Sequence, residues 1–348
     1  MSDESDLIEP LPPRRRAHDV RELPDRILQT YSRLWQLETW LRSMVYVELR
    51  AHLGDAWTSS VKLDKVEWPK KSDKALIHMP TPEENPLSYA QLSELHRIIT
   101  ENRRLFDPIL PPQKIWDRRM EEIEQVRHRV AHFRQVNEHD LDRVVHLLRD
   151  IDKGFWKFCT SYNDIHHVLP QTEDPVVVHF FPLDLLPFAE IEPSKWAQVG
   201  SISQDAWFGV SVATTLRPWA TWGTPVAGRE GLFYDVTIYL RGFRRRHFDY
   251  PQWLKNTQRL HKHIAHICLD HQANEIRMTI PAILGERPVI DILEQMIDMA
   301  RSCAYPGEWP AYKGTIKNLA DAWPEYVLEP QHALTLLTSD MPCSIFEA

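Results

Sequence analysis

Apolar residues recur at three- and four-residue steps from Asp25 to Phe158, and after Pro175 the pattern changes to short runs of β-branched and aromatic residues. This switch of period divides the chain into a helical part and a part that must build a sheet. In the first part, Ile27, Tyr31, Leu34, Leu41, Val45 and Leu49 form one helical stripe that stops near Gly54. The segment "SSVKLDKVEWPKKSDKALIHMPTPEENP", punctuated by lysine and proline, reads as a loop with at most one short strand. Helical spacing returns in "LSYAQLSELHRIITENRRLF" through Leu92, Leu95, Ile98, Ile99 and Leu105. A third stripe, Trp116, Met120, Ile123, Val126, Val130 and Phe133, follows a proline-marked start. Asn137 reads as the N-cap of a fourth helix, with Asp140 three residues on.

Four long helices make residues 25–165 an all-α, up-down bundle. Residues 1–24 carry Pro10, Pro12, Pro13 and Pro24 without periodicity and read as a mobile tail. In the second part "PVVVHFF", "AWFGVSVATTL", "LFYDVTIYLR" and "EIRMTI" read as strands. "YPQWLKNTQRLHKHIAHICLDH" and "PVIDILEQMIDMARSC" read as helices, so residues 172–348 are expected to form a separate α+β domain. The boundary is placed near "NDIHHVLPQTEDP".

Charge narrows the partners. The net charge is −8, so any nucleic-acid contact must come from a local patch. The four cysteines, Cys159, Cys268, Cys303 and Cys343, show no paired spacing, which points to a reducing, cytoplasmic setting. The start of the chain lacks the layout of a signal peptide, and no run approaches the length of a membrane span, so no membrane partner is expected. Phosphate-binding loops, GxSxG and HExxH are absent from the sequence. His261, His263, His266 and His271 fall on one expected helix, but no carboxylate or thiol completes a ligand set. They read as surface histidines, with no metal and no cofactor expected.

The stretch "VRHRVAHFR", Val126 to Arg134, packs three arginines and two histidines into nine residues. Arg127 and His132 stand in the spacing R-x-x-x-x-H, and so do Arg134 and His139. About 1.4 such matches arise by chance at this composition, so spacing alone decides nothing. Helical position separates the two. At about 100° per residue Arg127 falls on the apolar stripe, while Arg134 and His139 straddle the expected helix end. A guanidinium on a core-facing stripe needs a counter-charge or a cleft. Glu38, the only charge on the line Ile27, Tyr31, Leu34, Glu38, Leu41, Val45, is the expected partner. A Glu38–Arg127 contact would be either a structural tie or the floor of an active site.

These residues carry a resemblance. "RHRVAHFR", preceded by "WDRRMEEIEQV" and by a first helix reading "RLWQLETWLRSMVYVELRAHLGDAW", resembles the HEPN superfamily, and most closely its abortive-infection and toxin-like members. The likeness covers residues 25–162 and does not reach the second half. It implies a metal-independent endoribonuclease in which Arg127 and His132 are the motif pair. His128 stands where the family more often has asparagine, and Glu38 matches an acidic first-helix residue of some members. It also implies a homodimer with a composite active site, an RNA substrate, an antitoxin or trigger protein as a further partner, and a role in growth inhibition or phage defence. Other members of the family have lost catalysis, so a silent helical module that binds RNA or a protein is the alternative.

The chemistry asks for these residue types. Cleavage by the RNA's own 2′-hydroxyl needs a proton carrier near neutral pH, which imidazole supplies. The phosphorane carries extra negative charge, which a guanidinium meets with paired hydrogen bonds. Residues five apart lie about 140° apart around a helix, so Arg127 and His132 are expected to converge only when two copies pair. Arg129 and the run Arg241, Arg244, Arg245 and Arg246, interleaved with Phe243, Phe248 and Tyr250, are the candidate RNA contacts. A solvated strand-to-helix turn is the plainer reading of that run.

Overall fold

The longest helix, α1 (Asp25–Leu53), contains neither glycine nor proline over 29 residues. It stops at Gly54, whose φ of 57° is left-handed. A Cβ there would also approach Ile283 Cγ2 to 2.9 Å, so the same glycine lets the second half of the chain come close. We describe a computed structural model, which covers residues 25–61, 63–78, 83–137, 139–158, 173–193, 195–200, 206–221, 227–241, 245–308 and 316–328. The expected tail and the expected boundary segment fall outside these residues, apart from the final Glu173–Pro175 of the latter. Among the described residues no helix is long and apolar enough to cross a membrane.

Packed against α1 are α3 (Leu92–Glu101), α5 (Gln113–Ala131) and α6 (Asp140–Phe158), with the single turn α4 (Arg103–Phe106) following α3. Their shared core includes Leu37, Leu41, Met44, Leu95, Ile98, Trp116, Met120, Ile123, Val144 and Leu148. The N-terminal part is therefore helical, as its period requires. The stretch read as a loop contains a further helix, α2 (Leu63–Ala75), which corrects the sequence reading. Its Lys70 and Lys74 both pair with Glu84 in the loop beyond it, a tie that periodicity does not register.

The second half is α+β. A five-stranded sheet runs in the order β3 (Phe208–Leu216), β4 (Leu232–Leu240), β7 (Glu275–Pro281), β6 (His266–Leu269), β9 (Val327–Leu328). Only the β6–β9 pair is parallel. The two-stranded pairs β1 (Phe188–Glu192) with β2 (Lys195–Gln198), and β5 (Arg246–Phe248) with β8 (Ala304–Pro306), lie beside it in sequence. Even-numbered residues of β4 (Tyr234, Val236, Ile238) join the core with α7 (Pro175–Phe180), α8 (Tyr250–Thr257), α9 (Glu286–Ser302) and α10 (Ile316–Ala322). Phe233, on the opposite face, enters the core of the helical half.

Two elements differ from the sequence reading for identifiable reasons. "PVVVHF" is the helix α7 rather than a strand. Asp174 accepts from the backbone N–H groups of Val176 and Val177, Pro175 occupies the first turn, and Val176, Val177 and Phe180 are buried. Cap and burial together override β-propensity. "YPQWLKNTQRLHKHIAHICL" is not one helix: α8 gives way to a 3₁₀ turn over Gln258–His263 and then to strand β6.

The halves share a buried polar junction. Glu48, with no solvent exposure, receives the Nε and Nη2 groups of Arg217, itself 1% exposed. Trp219 donates its indole N–H to the same carboxylate at 2.5 Å. Around it, Gly231 N–H donates to the Ala51 carbonyl at 2.8 Å and Tyr46 O–H to the Ala265 carbonyl at 3.0 Å. Removing one member of a buried ion pair leaves the other charge in a dry site. We predict that Glu48→Gln and Arg217→Met each lower the unfolding free energy by about 3–5 kcal/mol in urea titration. The double variant Glu48→Met/Arg217→Met should lose clearly less than the sum. Strictly additive losses would show that the pair is uncoupled.

Candidate active site

The motif sits where α5 ends. Trp116, Met120, Ile123, Val126 and Val130 are its buried residues, so the buried stripe passes through Val126 and leaves Arg127 half-buried at its margin. The expected Glu38–Arg127 contact is not formed. Glu38 instead takes Arg42, one turn along α1, at 2.5 Å, and Arg42 also donates to the Ala90 carbonyl at 3.1 Å. A glutamate four residues before an arginine is favourably oriented within a helix, and that nearer cation wins. Among the described residues Arg127 has neither ion pair nor hydrogen bond. It is a partly desolvated guanidinium without a counter-charge among the described residues.

His132 is the residue that closes the helix. The amide of Arg134 donates to the Arg129 carbonyl at 2.9 Å and that of Phe133 to the Val130 carbonyl at 3.1 Å. This is a Schellman turn, with Phe133 at its left-handed position, φ 53°. A bulky residue there costs about 1 kcal/mol relative to glycine. His128, one turn earlier, faces His132 with ring centroids 6.3 Å apart and planes 16° from parallel. Both imidazoles are exposed. The arginine and the two histidines thus share one helix end, with the side chains of the pair His128/His132 on one face.

The turn after His132 is held by Asp140, which is fully buried. Its carboxylate accepts from both Nε and Nη2 of Arg129 and, at 2.7 Å, from the backbone N–H of Asn137. Asn137 in return accepts from the backbone N–H of His139 at 3.0 Å, a reciprocal cap at the start of α6. Arg129 is therefore engaged in joining α5 to α6, which fixes the backbone that carries His132. The other candidate RNA contacts lie in the second half. Arg241 sits over Tyr239, Arg246 over Trp207 at 4.2 Å, and Arg245 pairs with Glu308, while Arg244 is outside the described residues.

The four histidines read as one helix go to separate places. His263 pairs with Asp55 across the junction, and His266, on β6, packs against Tyr46 with ring centroids 5.5 Å apart. His271 falls in the turn after β6. His261 is 1% exposed between Trp323 and Tyr326. Its Nε2 lies 3.0 Å from Thr257 Oγ1, whose own hydrogen goes to the Trp253 carbonyl at 2.8 Å. The imidazole therefore carries its proton on Nε2. Among the described residues no cluster of three or more His, Cys, Asp or Glu could hold a metal.

Sequence reading missed the buried carboxylate Glu48, although the signal was present. The apolar stripe of α1, continued by the spacing Leu34, Leu37, Leu41, Met44, Val45, arrives at Glu48 rather than at Glu38, which lies at its edge. Burial alone pushes the His261 pKa down to about 4. Its folded pKa lies below the unfolded value, so the unfolded chain takes up the proton first. Its effect is absent above about pH 6.5 and destabilises progressively as pH falls toward 4, by up to about 3 kcal/mol. We predict that His261→Gln flattens this part of the stability–pH curve measured by urea titration. An unchanged slope would mean that His261 is not buried neutral.

No protein-family model, characterised protein or solved structure matches the chain.

Proposed function

We propose that the chain is a metal-independent endoribonuclease of the HEPN type. The observation that carries the reading is the state of Arg127. A core tie to Glu38 would have made it structural, but Glu38 is occupied by Arg42, and among the described residues no acid answers the guanidinium, which shares its helix end with two exposed imidazoles. A phosphodiester supplies the missing negative charge. In the proposed reaction the 2′-oxygen attacks phosphorus and the bond to the 5′-oxygen breaks. The products are a 2′,3′-cyclic phosphate and a 5′-hydroxyl. An imidazole, His132, takes the 2′ proton, and an imidazolium returns one to the 5′-oxygen. Arg127 stabilises the charge of the phosphorane. His128 is the neighbouring polar group.

Two copies pairing about a two-fold axis would place both copies of Arg127 and His132 in one cleft and provide the second imidazole. A cytoplasmic effector of growth inhibition or phage defence, restrained by an antitoxin or released by a trigger, fits this activity. One observation favours the alternative of a silent module that binds RNA or a protein. Among the described residues neither His128 nor His132 has a carboxylate to orient it, as a general base usually does.

The readings separate in one assay. Single-stranded RNA incubated with the protein in EDTA should be cut to cyclic-phosphate ends. His132→Ala and Arg127→Ala should each lose about 100-fold or more in rate, with unchanged circular dichroism and Tm. Cleavage that needs a divalent metal, or that survives His132→Ala, would sink the proposal. Cleavage by a strict monomer would remove the two-fold site. Binding without cleavage by the wild type would favour the silent module.

A further inference from the structure

Phe133 is 95% exposed, and its backbone stands at φ 53°. Glycine is the ordinary occupant of that position in a Schellman turn. The Phe133 ring covers no core, so within this chain both its backbone and its side chain are unfavourable. We propose that Phe133 is a stacking platform for an unpaired base of single-stranded RNA whose phosphate lies on Arg127. This assignment rests on the reading of the site as one that takes RNA, and it adds a residue that positions the substrate and selects unpaired strands.

Three observations converge. The left-handed turn carries the ring outward at the residue following His132, and the Asp140 carboxylate caps the end of the same turn. Its neighbour Arg134 is cationic, and Arg127 and Arg134 have no ion pair among the described residues. A positive rim on a chain of net charge −8 fits a polyanion. An exposed aromatic face within such a rim accepts any base, since every base offers a π-face. A duplex keeps its bases stacked internally and leaves none for the ring.

Binding is read with short 2′-O-methyl RNA, which lacks the attacking hydroxyl and so reports association without cleavage. By fluorescence anisotropy, Phe133→Gly should weaken single-strand binding about 5- to 100-fold, while Phe133→Trp stays within about twofold of wild type. Binding of the 2′-O-methyl duplex should not change. Because glycine relieves the left-handed backbone, Tm should hold or rise in Phe133→Gly, which separates lost stacking from lost folding. Equal single-strand affinity of Phe133→Gly and wild type overturns the platform and leaves the ribonuclease reading standing. A fall in sedimentation mass on Phe133→Gly overturns it in favour of a contact between copies of the chain. Wild-type protein that binds no single strand at low salt overturns both readings together.

Discussion

A carboxylate with no access to water holds the two halves of this protein together. Glu48 is charged, buried and met by three N–H donors, two from Arg217 and one from Trp219. The geometry of such a group is narrow, because leaving any part of it unmet in a dry site is costly. It fixes the end of α1 against the loop between β3 and β4, and the nearby bonds from Gly231 and Tyr46 repeat the constraint along the same helix. Since α3, α5 and α6 pack on α1, the position of the motif helix follows from a contact made well outside it.

Arg127 and Arg217 show how one residue type takes opposite roles. Arg217 is buried and fully answered, which makes it part of the frame. Arg127 is partly buried and unanswered among the described residues, which leaves its charge available. The difference lies in whether an acid reaches the guanidinium within the chain. Arg129, two residues from Arg127, has such an acid in Asp140 and serves the turn instead.

Much of this was legible in the amino-acid pattern. The helical period of residues 25–158 and the strands around Val210, Val236 and Ile276 are where periodicity and β-branching place them. What escaped depended on contacts between distant residues. The helix around Lys70 is tied to Glu84, and "PVVVHF" is turned into a helix by the cap of Asp174. The site shows the same division. Arg127, His128 and His132 could be singled out from spacing, but the partner of Glu38 could not. A stripe drawn at 100° per residue tolerates an error of some tens of degrees, enough to exchange the edge position of Glu38 for the buried position of Glu48. The exposed ring of Phe133 was read as part of an apolar stripe, because its left-handed backbone is a property of the turn and not of the pattern.

Helix α1 has a mechanical consequence. It is anchored at Glu48 by the sheet-bearing half and runs on among the other helices as one rod without a glycine or proline hinge. From Glu48 to Asp25 the rod measures about 35 Å at 1.5 Å per residue. A tilt of about 5° at the anchored end therefore sweeps the far end through about 3 Å. The sheet-bearing half holds the short arm of a lever, and the other helices ride on the long one.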